Sequence, residues 1–436
     1  MADFTVVIVG AGLASLSLAI QCRRWGLRTL VLERAPEILE VGAGIQIPPN
    51  ASRVLASYGI LQHIQKLATE AEAIELKRYS DGSVLTRRPL GGLSLQHYGA
   101  PWLVVHRADY HGSLLHEAER LGAKIMLASE VVAVDVEKGL VTLKEGTIVS
   151  ANAIVGADGT WSLVRDAILD NPPTLFETGD LAYRATFTLD QLKALRDPEI
   201  ESLCQRRTVM VWLGPERHCV FYPMREGKEY NLVLLRPDDL PCDTKQMAGD
   251  LGEMRKSFEG WNNVITKLLS CIPSVLKWKL VNLRELETWH KGCAILIGDA
   301  CHPTLPYQAQ GAAMAVEDGA ALGLILGLAH ERLGGAVTKK QVEELLSLFE
   351  NLRKARTTDI VQGAVHNRWF YHIPDGKEQQ ARDQALKAVD WQSPRASGYQ
   401  WVCGDYNAWL LAHDVVEEAR QKFEAWWLSG RSNANL

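Results

Sequence analysis

TVVIVGAGLAS occupies residues 5–15, and its reading decides the fold. TVVIV is a short β-branched run with apolar residues on both faces, the pattern of a buried parallel strand. GAGLAS follows as G-x-G-x-x-G with serine in the last place. A helical pattern then covers residues 16–25, Gly26 ends it, and a second strand, RTLVL at 28–32, closes on Glu33. Strand, glycine turn, helix and a second strand with an acidic end make a dinucleotide-binding unit. Gly10 permits the tight turn. Gly12 lets the backbone approach a pyrophosphate at the helix N-terminus, and Glu33 is placed to accept ribose hydroxyls.

The rest of the composition suits a soluble chain of two or three domains: 436 residues, 47% hydrophobic and 23% charged. Forty-seven basic against 52 acidic residues give a net charge of −5 with no dense basic block, so neither nucleic acid nor an anionic membrane is an expected partner. Eight scattered cysteines with no C-x-x-C pair read as reduced intracellular thiols, and no metal-ligand spacing appears. The apolar N-terminus at 4–20 is unlike a signal segment, because Asp3 stands where basic charge belongs and glycines interrupt it. The apolar run at 319–329 is shorter than the roughly 20 residues that span a bilayer. No membrane association and a cytoplasmic location are expected.

Further along, GAGIQIPPNASRVL at 42–55 is a loop leading into a helix that Asn50 or Ser52 can cap. Strands are expected at 73–79, 104–106, 124–127, 131–137, 140–144 and 153–155, with a helix at 110–121. From about 181 to 283 segments such as LAYRATF, HCVFYPM and YNLVLL alternate, which predicts a mostly antiparallel sheet with one wet face. Helical patterns return at 314–332 and 340–361, and the tryptophan-rich segment 390–428 reads as helical. Only one nucleotide fingerprint is present, since Gly91-Gly92 and Gly334-Gly335 lack the strand–helix context. That argues against a flavin disulfide reductase with a second nucleotide domain.

Three separated motifs, GAGLAS with Glu33, GADG at 156–159 with Arg165, and GDACHPTLPYQAQG at 298–311, together resemble the signatures of single-component FAD-dependent aromatic hydroxylases of the para-hydroxybenzoate hydroxylase type. GAGIQIPPNA, HPTLPYQAQGAAMAVEDGA and the C-terminal WVCGDYNA are most similar to the salicylate hydroxylase-like branch. The resemblance implies an α/β fold: a Rossmann-like FAD-binding domain of the glutathione-reductase type, an inserted mostly antiparallel β-sheet substrate domain, and C-terminal helices. Its expected divisions are 1–75, 101–180 and 285–365 for the FAD domain, 76–100 and 181–284 for the β-rich domain, and 366–436 for the C-terminal region. It implies FAD as cofactor, NADH or NADPH as transient reductant, O2 as co-substrate, and a monomer or homodimer acting on a small aromatic molecule through a flavin C4a-hydroperoxide.

Carried onto this sequence, the resemblance gives the ADP half to Gly10, Gly12 and Glu33, and the diphosphate or ribityl region to Arg107. Asp158 is assigned to the pyrophosphate and the nicotinamide approach, Asp299 to the ribityl chain, and residues 42–46, including Gly44, Ile45 and Gln46, to one side of the flavin ring. Ala14, Arg34, Val131, Pro306, Gly311 and Ala312 complete the implied cofactor set. Two prolines, Pro303 and Pro306, stiffen the loop before a helix N-terminus that can face the flavin's anionic pyrimidine edge. Glu317 and Asp318 lie too far into that helix for catalytic acids and are expected to make polar contacts. His302 reads as a loop-fixing residue.

On the substrate side, strand period puts His218, Val220 and Tyr222 of HCVFYPM on one face. His218 and Tyr222 are then about 13 Å apart at a rise of about 3.3 Å per residue, enough to flank a ring. Histidine is suited to take a phenolic proton near neutral pH. The alternative is a hydrogen-bonded strand histidine with Tyr222 in the core. Arg184, on the face opposite Tyr183, either binds a carboxylate or phenolate or forms a rim salt bridge. The leading expectation is hydroxylation of a phenolic or salicylate-like aromatic. Oxygenation of an indole or polyketide aromatic, a flavin oxidase, and a non-catalytic flavoprotein-fold binding protein are the alternatives.

Overall fold

Strand Thr5–Val9 lies inside a six-stranded sheet ordered His290–Lys291, Ala294–Leu296, Ala153–Gly156, Thr5–Val9, Arg28–Leu32, Lys124–Met126. The computed structural model describes residues 4–38, 43–242, 244–393 and 395–432; Asp3 and Gly42 lie outside these. Every pairing in the sheet is parallel except the His290–Lys291 hairpin. Val6 to Val9 are buried on both faces, as an apolar strand between two layers should be.

Helix Leu13–Arg24 begins earlier than the apolar period indicates, because Gly12 serves as its N-cap. It packs on helix Gly311–Arg332 through glycines one turn apart. A Cβ on Gly319 would stand 2.5 Å from Leu18 N and 2.6 Å from Ala14 O, and one on Gly327 would stand 2.2 Å from Trp25 Cγ. The two backbones therefore approach as closely as glycine allows. The apolar run expected to be too short for a bilayer belongs to this 22-residue helix, which is long and apolar enough to cross one. Here the same residues are enclosed by protein from Ala313 to His330.

An eight-stranded sheet runs Gln246–Ala248, Leu276–Asn282, Phe176–Thr188, Glu229–Pro237, Arg217–Met224, Thr208–Gly214, Ala73–Arg78, Val84–Pro89. All its pairings are antiparallel except Thr208–Gly214 with Ala73–Arg78. The expected wet face is absent from its centre: Thr208–Gly214 is buried at every position. Phe221, Trp212 and Tyr230 pack under helices Leu251–Ser257 and Asn263–Ser270, while Val220, Tyr222 and Val211 pack toward the C-terminal helices. Two covered faces explain why alternation alone misreads this sheet.

Three expected divisions, 75/76, 180/181 and 365/366, fall inside the continuous elements Ala73–Arg78, Phe176–Thr188 and Lys339–His372. Composition shifts there, but the backbone hydrogen bonds do not break. Residues 390–428 are helical only in part, with the short 3-10 helix Gln400–Val402 before helices Gly404–Leu411 and Val415–Ser432. Neither Asn50 nor Ser52 caps helix Pro49–Tyr58. Pro48 is the N-cap and Pro49 takes the first turn, where its missing N–H costs nothing.

Candidate active site

A cavity of about 340 Å³ lies where the two large sheets meet. It opens beyond the carboxyl end of Thr5–Val9, whose neighbours Arg28–Leu32 and Ala153–Gly156 lie on opposite sides, a switch point at which α/β sheets bind ligands. Its wall combines Gly12 and Ala14, then Gly44, Ile45 and Gln46 from strand Gly44–Ile47, then Arg107, Asp299, Pro306, Gly311 and Ala312. Arg184, His218 and Tyr222 of the eight-stranded sheet close it.

The fingerprint residues fit a dinucleotide. Gly10 has φ +95°, and a Cβ there would stand 2.6 Å from Ala157 O. Gly12 differs: among the described residues, its chain neighbours aside, nothing lies within 4 Å of its Cβ position, and the residue lines the cavity, so the turn is a cradle that a side chain would fill. No side chain caps helix Gly311–Arg332, so its first N–H groups and partial positive charge remain available where Gly311 and Ala312 line the cavity. Asp299 lines this space and is exposed; the protein packed around it raises its carboxyl pKa, with His302 and Arg107 pulling it back. These features match FAD, an extended diphosphate with a flat ring.

Gly10, Glu33, Arg34, Val131 and Asp158 lie outside the cavity wall. Glu33 holds the turn itself, accepting Ala11 N and Ala35 N, each at 2.9 Å. Asp158 accepts Ser162 Oγ at 2.5 Å, Leu163 N at 2.8 Å and Val164 N at 3.2 Å, so its carboxylate caps helix Leu163–Ile168. Arg34 is exposed, and Val131 is half-buried at the start of strand Val131–Asp135.

A buried ionic network fixes the motif at 298–320. Asp318 Oδ2 accepts Gly298 N at 2.9 Å and lies 2.6 Å from His302 Nε2. Arg353 bonds Asp318 and Glu317, and Asn50 donates to Glu317 Oε1 at 2.9 Å and to Gln310 Oε1 at 3.0 Å. His302 thus fixes its loop, and Asn50 ties helix Pro49–Tyr58 to the cavity's helix N-terminus. Sequence reading gave Asn50 only a capping role and missed Arg353 and also Asn231, whose Oδ1 accepts Gly44 N at 2.8 Å. A polar residue inside apolar YNLVLL was the available signal for Asn231.

Three groups face the cavity from the eight-stranded sheet. Arg184 is exposed to the cavity; the protein packed around it lowers its pKa, while Tyr222 raises it and Arg107 lowers it further. Its guanidinium forms no hydrogen bond or ion pair among the described residues. Tyr222 is 3% exposed, and its hydroxyl has no protein partner among them either; burial raises its pKa and Arg184 opposes the shift. His218 is 1% exposed, and its Nδ1 lies 2.8 Å from His372 Nε2. Burial, then His372, lowers the His218 pKa well below the usual 6.5, so the ring is neutral at pH 7. Tyr183 points into the opposite core.

Residues 3–364 match the FAD binding domain family. An FAD-dependent monooxygenase of Beauveria bassiana is 37% identical over 420 residues, covering 95% of this chain and 96% of that protein. A 3-amino-4-hydroxybenzoate 2-monooxygenase of Streptomyces cremeus is 31% identical over 89% of this chain and 92% of its own length, and a 3-hydroxybenzoate 6-hydroxylase of Polaromonas naphthalenivorans is 32% identical over 88% and 92%. A solved salicylate hydroxylase substrate complex shares the fold, with TM-score 0.77 and 21% identity over 97% of this chain and 98% of that one. The chain belongs to the FAD binding domain family, among its flavin-dependent aromatic monooxygenases. Enzymes of this class use FAD with NADH or NADPH and O2.

Proposed function

We propose that the chain hydroxylates an aromatic acid carrying a phenolic hydroxyl, bound between Arg184, Tyr222 and His218. One observation carries this reading: Arg184 lines the cavity with a cationic guanidinium that has no counter-ion among the described residues. An unpaired cation lining a cavity is a ready partner for an anion, and a carboxylate matches the guanidinium fork. Relatives named for 3-amino-4-hydroxybenzoate, 3-hydroxybenzoate and 6-hydroxynicotinate support an acid with a ring hydroxyl.

In this reading Arg184 orients the carboxylate and Tyr222 donates to the ring substituent. His218, neutral at pH 7, takes the phenolic proton and so makes the ring electron-rich. Val220, Val233, Leu235 and Leu305 form the apolar wall that holds the ring and limits water. Gly12, Gly44, Arg107, Asp299 and Gly311 hold FAD, with Glu33 and Gly10 shaping the turn that receives it and Asp158 shaping the helix beside it. Bound FAD supplies electron exchange with NADH or NADPH and the activation of O2. The domain division follows the two large sheets, with the cavity at their junction. Eight free thiols support a reducing, cytoplasmic setting, and the protein acts as a monomer or homodimer.

The test is a visible spectrum followed by NADH and NADPH consumption across salicylate, 3-hydroxybenzoate, 4-hydroxybenzoate and their uncharged phenol counterparts. The expected result is a yellow protein whose reductant use rises with the acids and yields a product containing one added oxygen. A protein that stays colourless with added FAD, or one stimulated only by the uncharged phenols, would overturn the assignment.

A further inference from the structure

His218 is buried at the cavity wall, and a buried imidazole that gains a proton must place positive charge in a poorly solvated site. The residue that answers this is on another element. His372, the last residue of helix Lys339–His372, sets its Nε2 2.8 Å from His218 Nδ1 and is itself partly exposed. The two rings have centroids 5.1 Å apart. Tyr307 packs against both, 4.9 Å from His218 and 5.6 Å from His372, and Tyr371 lies 5.1 Å from His218. One histidine faces the cavity, the next reaches the surface, and aromatic rings fill the space around them.

We propose that His372 is the positioning residue for His218 and the outlet for the proton His218 takes from the substrate. With His372 Nε2 accepting, the proton on His218 sits at Nδ1, and Nε2 is left with its lone pair toward the cavity. The substrate O–H bond breaks and its proton joins His218 Nε2. The His218 Nδ1 proton passes to His372 Nε2, and the proton on His372 Nδ1 leaves to solvent. Both rings end neutral, and only the bound phenolate has changed charge. When the product oxygen is reprotonated, the same transfers in reverse restore both tautomers.

The surroundings support this direction. Tyr307 donates to Asp180 Oδ2 at 2.5 Å, and Arg368 donates to Asp180 Oδ1 at 2.7 Å. Burial lowers the His372 pKa most, Asp180 opposes it, and Arg368 and Arg217 lower it further, leaving it at about 4. Across neutral pH neither ring is held as a cation, which favours passing a proton over storing it. No spacing rule links the two histidines, which lie 154 positions apart.

This inference rests on the hydroxylase reading, and the test separates the two. In the FAD-loaded protein, His372→Gln keeps an acceptor for His218 Nδ1 but cannot pass a proton on, while His372→Ala leaves room for added imidazole. Turnover of the best phenolic acid among salicylate, 3-hydroxybenzoate and 4-hydroxybenzoate is expected to fall about 100-fold in both. FAD affinity and KM should stay within about twofold, and imidazole should restore the alanine variant only, with a pH dependence that follows imidazole's own titration. Unchanged turnover in the glutamine variant overturns the outlet. So does loss of FAD binding or a raised KM in place of lost turnover in that variant, which marks a structural role. Failure of imidazole to restore an FAD-loaded alanine variant also rejects it. If the unaltered protein responds to no phenolic acid, the hydroxylase reading itself falls and takes this one with it.

Discussion

Arg353 donates from Nε to Asp318 and from Nη2 to Glu317, each at 2.8 Å, with all three side chains at 0% exposure. Burial pushes the Glu317 carboxyl up, but Arg353, Arg356, His413 and the Asn50 hydrogen bond outweigh it and hold it below the usual range. The same balance, with His302 and Gly298 N as additional partners, lowers Asp318. Removing the guanidinium leaves two buried carboxylates close together without their cation. Arg353→Met is therefore expected to cost about 3–5 kcal/mol in denaturant unfolding and to weaken FAD binding, because Asp318 no longer fixes the Gly298 turn. Arg353→Lys should recover little, since one ammonium cannot reproduce the two-pronged geometry. Unfolding midpoints equal to the unaltered protein's would show that the network is neutral to stability.

Gly319 offers a test in which two local effects oppose each other. Alanine is the better helix former by about 1 kcal/mol. Yet its Cβ would stand 2.5–2.6 Å from backbone atoms of Leu18 and Ala14, which cannot rotate away as a side chain can. Gly319→Ala should lower stability by about 1–3 kcal/mol and weaken FAD binding, because the displaced helix carries Ala14 of the cavity wall. Thermal melts with and without FAD read both effects. A stabilised variant would mean that the two helices separate without cost.

The cofactor half of the site was legible because its requirements are local. A tight turn, close backbone approach and a helix N-terminus all fall within a few residues, so Gly10, Gly12 and Gly311 stand out in sequence. The substrate half was partly legible, because strand period alone puts His218, Val220 and Tyr222 on one face. What stayed hidden depends on tertiary pairing. Glu33 and Asp158 carry the right residue types, yet their carboxylates also bond neighbouring backbone N–H groups, which a motif does not reveal. Arg353, Asn50 and His372 act through partners far along the chain, and no spacing rule reaches them. The second covered face of the large sheet was missed for the same reason.

Glu350 gives a pH prediction. Its Oε2 accepts Trp289 N at 2.8 Å and Thr288 Oγ1 at 3.0 Å, and it lies 2.7 Å from His290 Nδ1. Burial raises its pKa, but the bonds from His290, Trp289 and Thr288 prevail and bring it from 4.5 to about 2. A carboxyl whose folded pKa is depressed stabilises the fold above its unfolded value and loses that contribution as pH falls through the folded one. Stability should therefore decline from about pH 4.5 toward pH 2. Glu350→Gln should cost about 1–3 kcal/mol at neutral pH and flatten this part of the acid limb. An acid limb of unchanged slope would remove Glu350 from the account.

Arg184 decides between a charged and an uncharged substrate. Its guanidinium lies in the same wall as Tyr222 and His218, and Arg107, the other cation there, lowers its pKa. If a substrate carboxylate is the missing counter-ion, Arg184→Met should raise KM for the preferred acid about 10- to 100-fold, the worth of a charged hydrogen bond. The FAD dissociation constant and the reductant use measured without substrate should change little. Arg184→Lys should recover only part of the loss, because a point charge does not reproduce the paired N–H geometry. Uncharged phenols supply the opposite arm: methionine removes an unpaired charge and adds apolar surface, so their KM should fall. Acids and uncharged phenols losing affinity in equal measure would show that Arg184 shapes the cavity without reading charge.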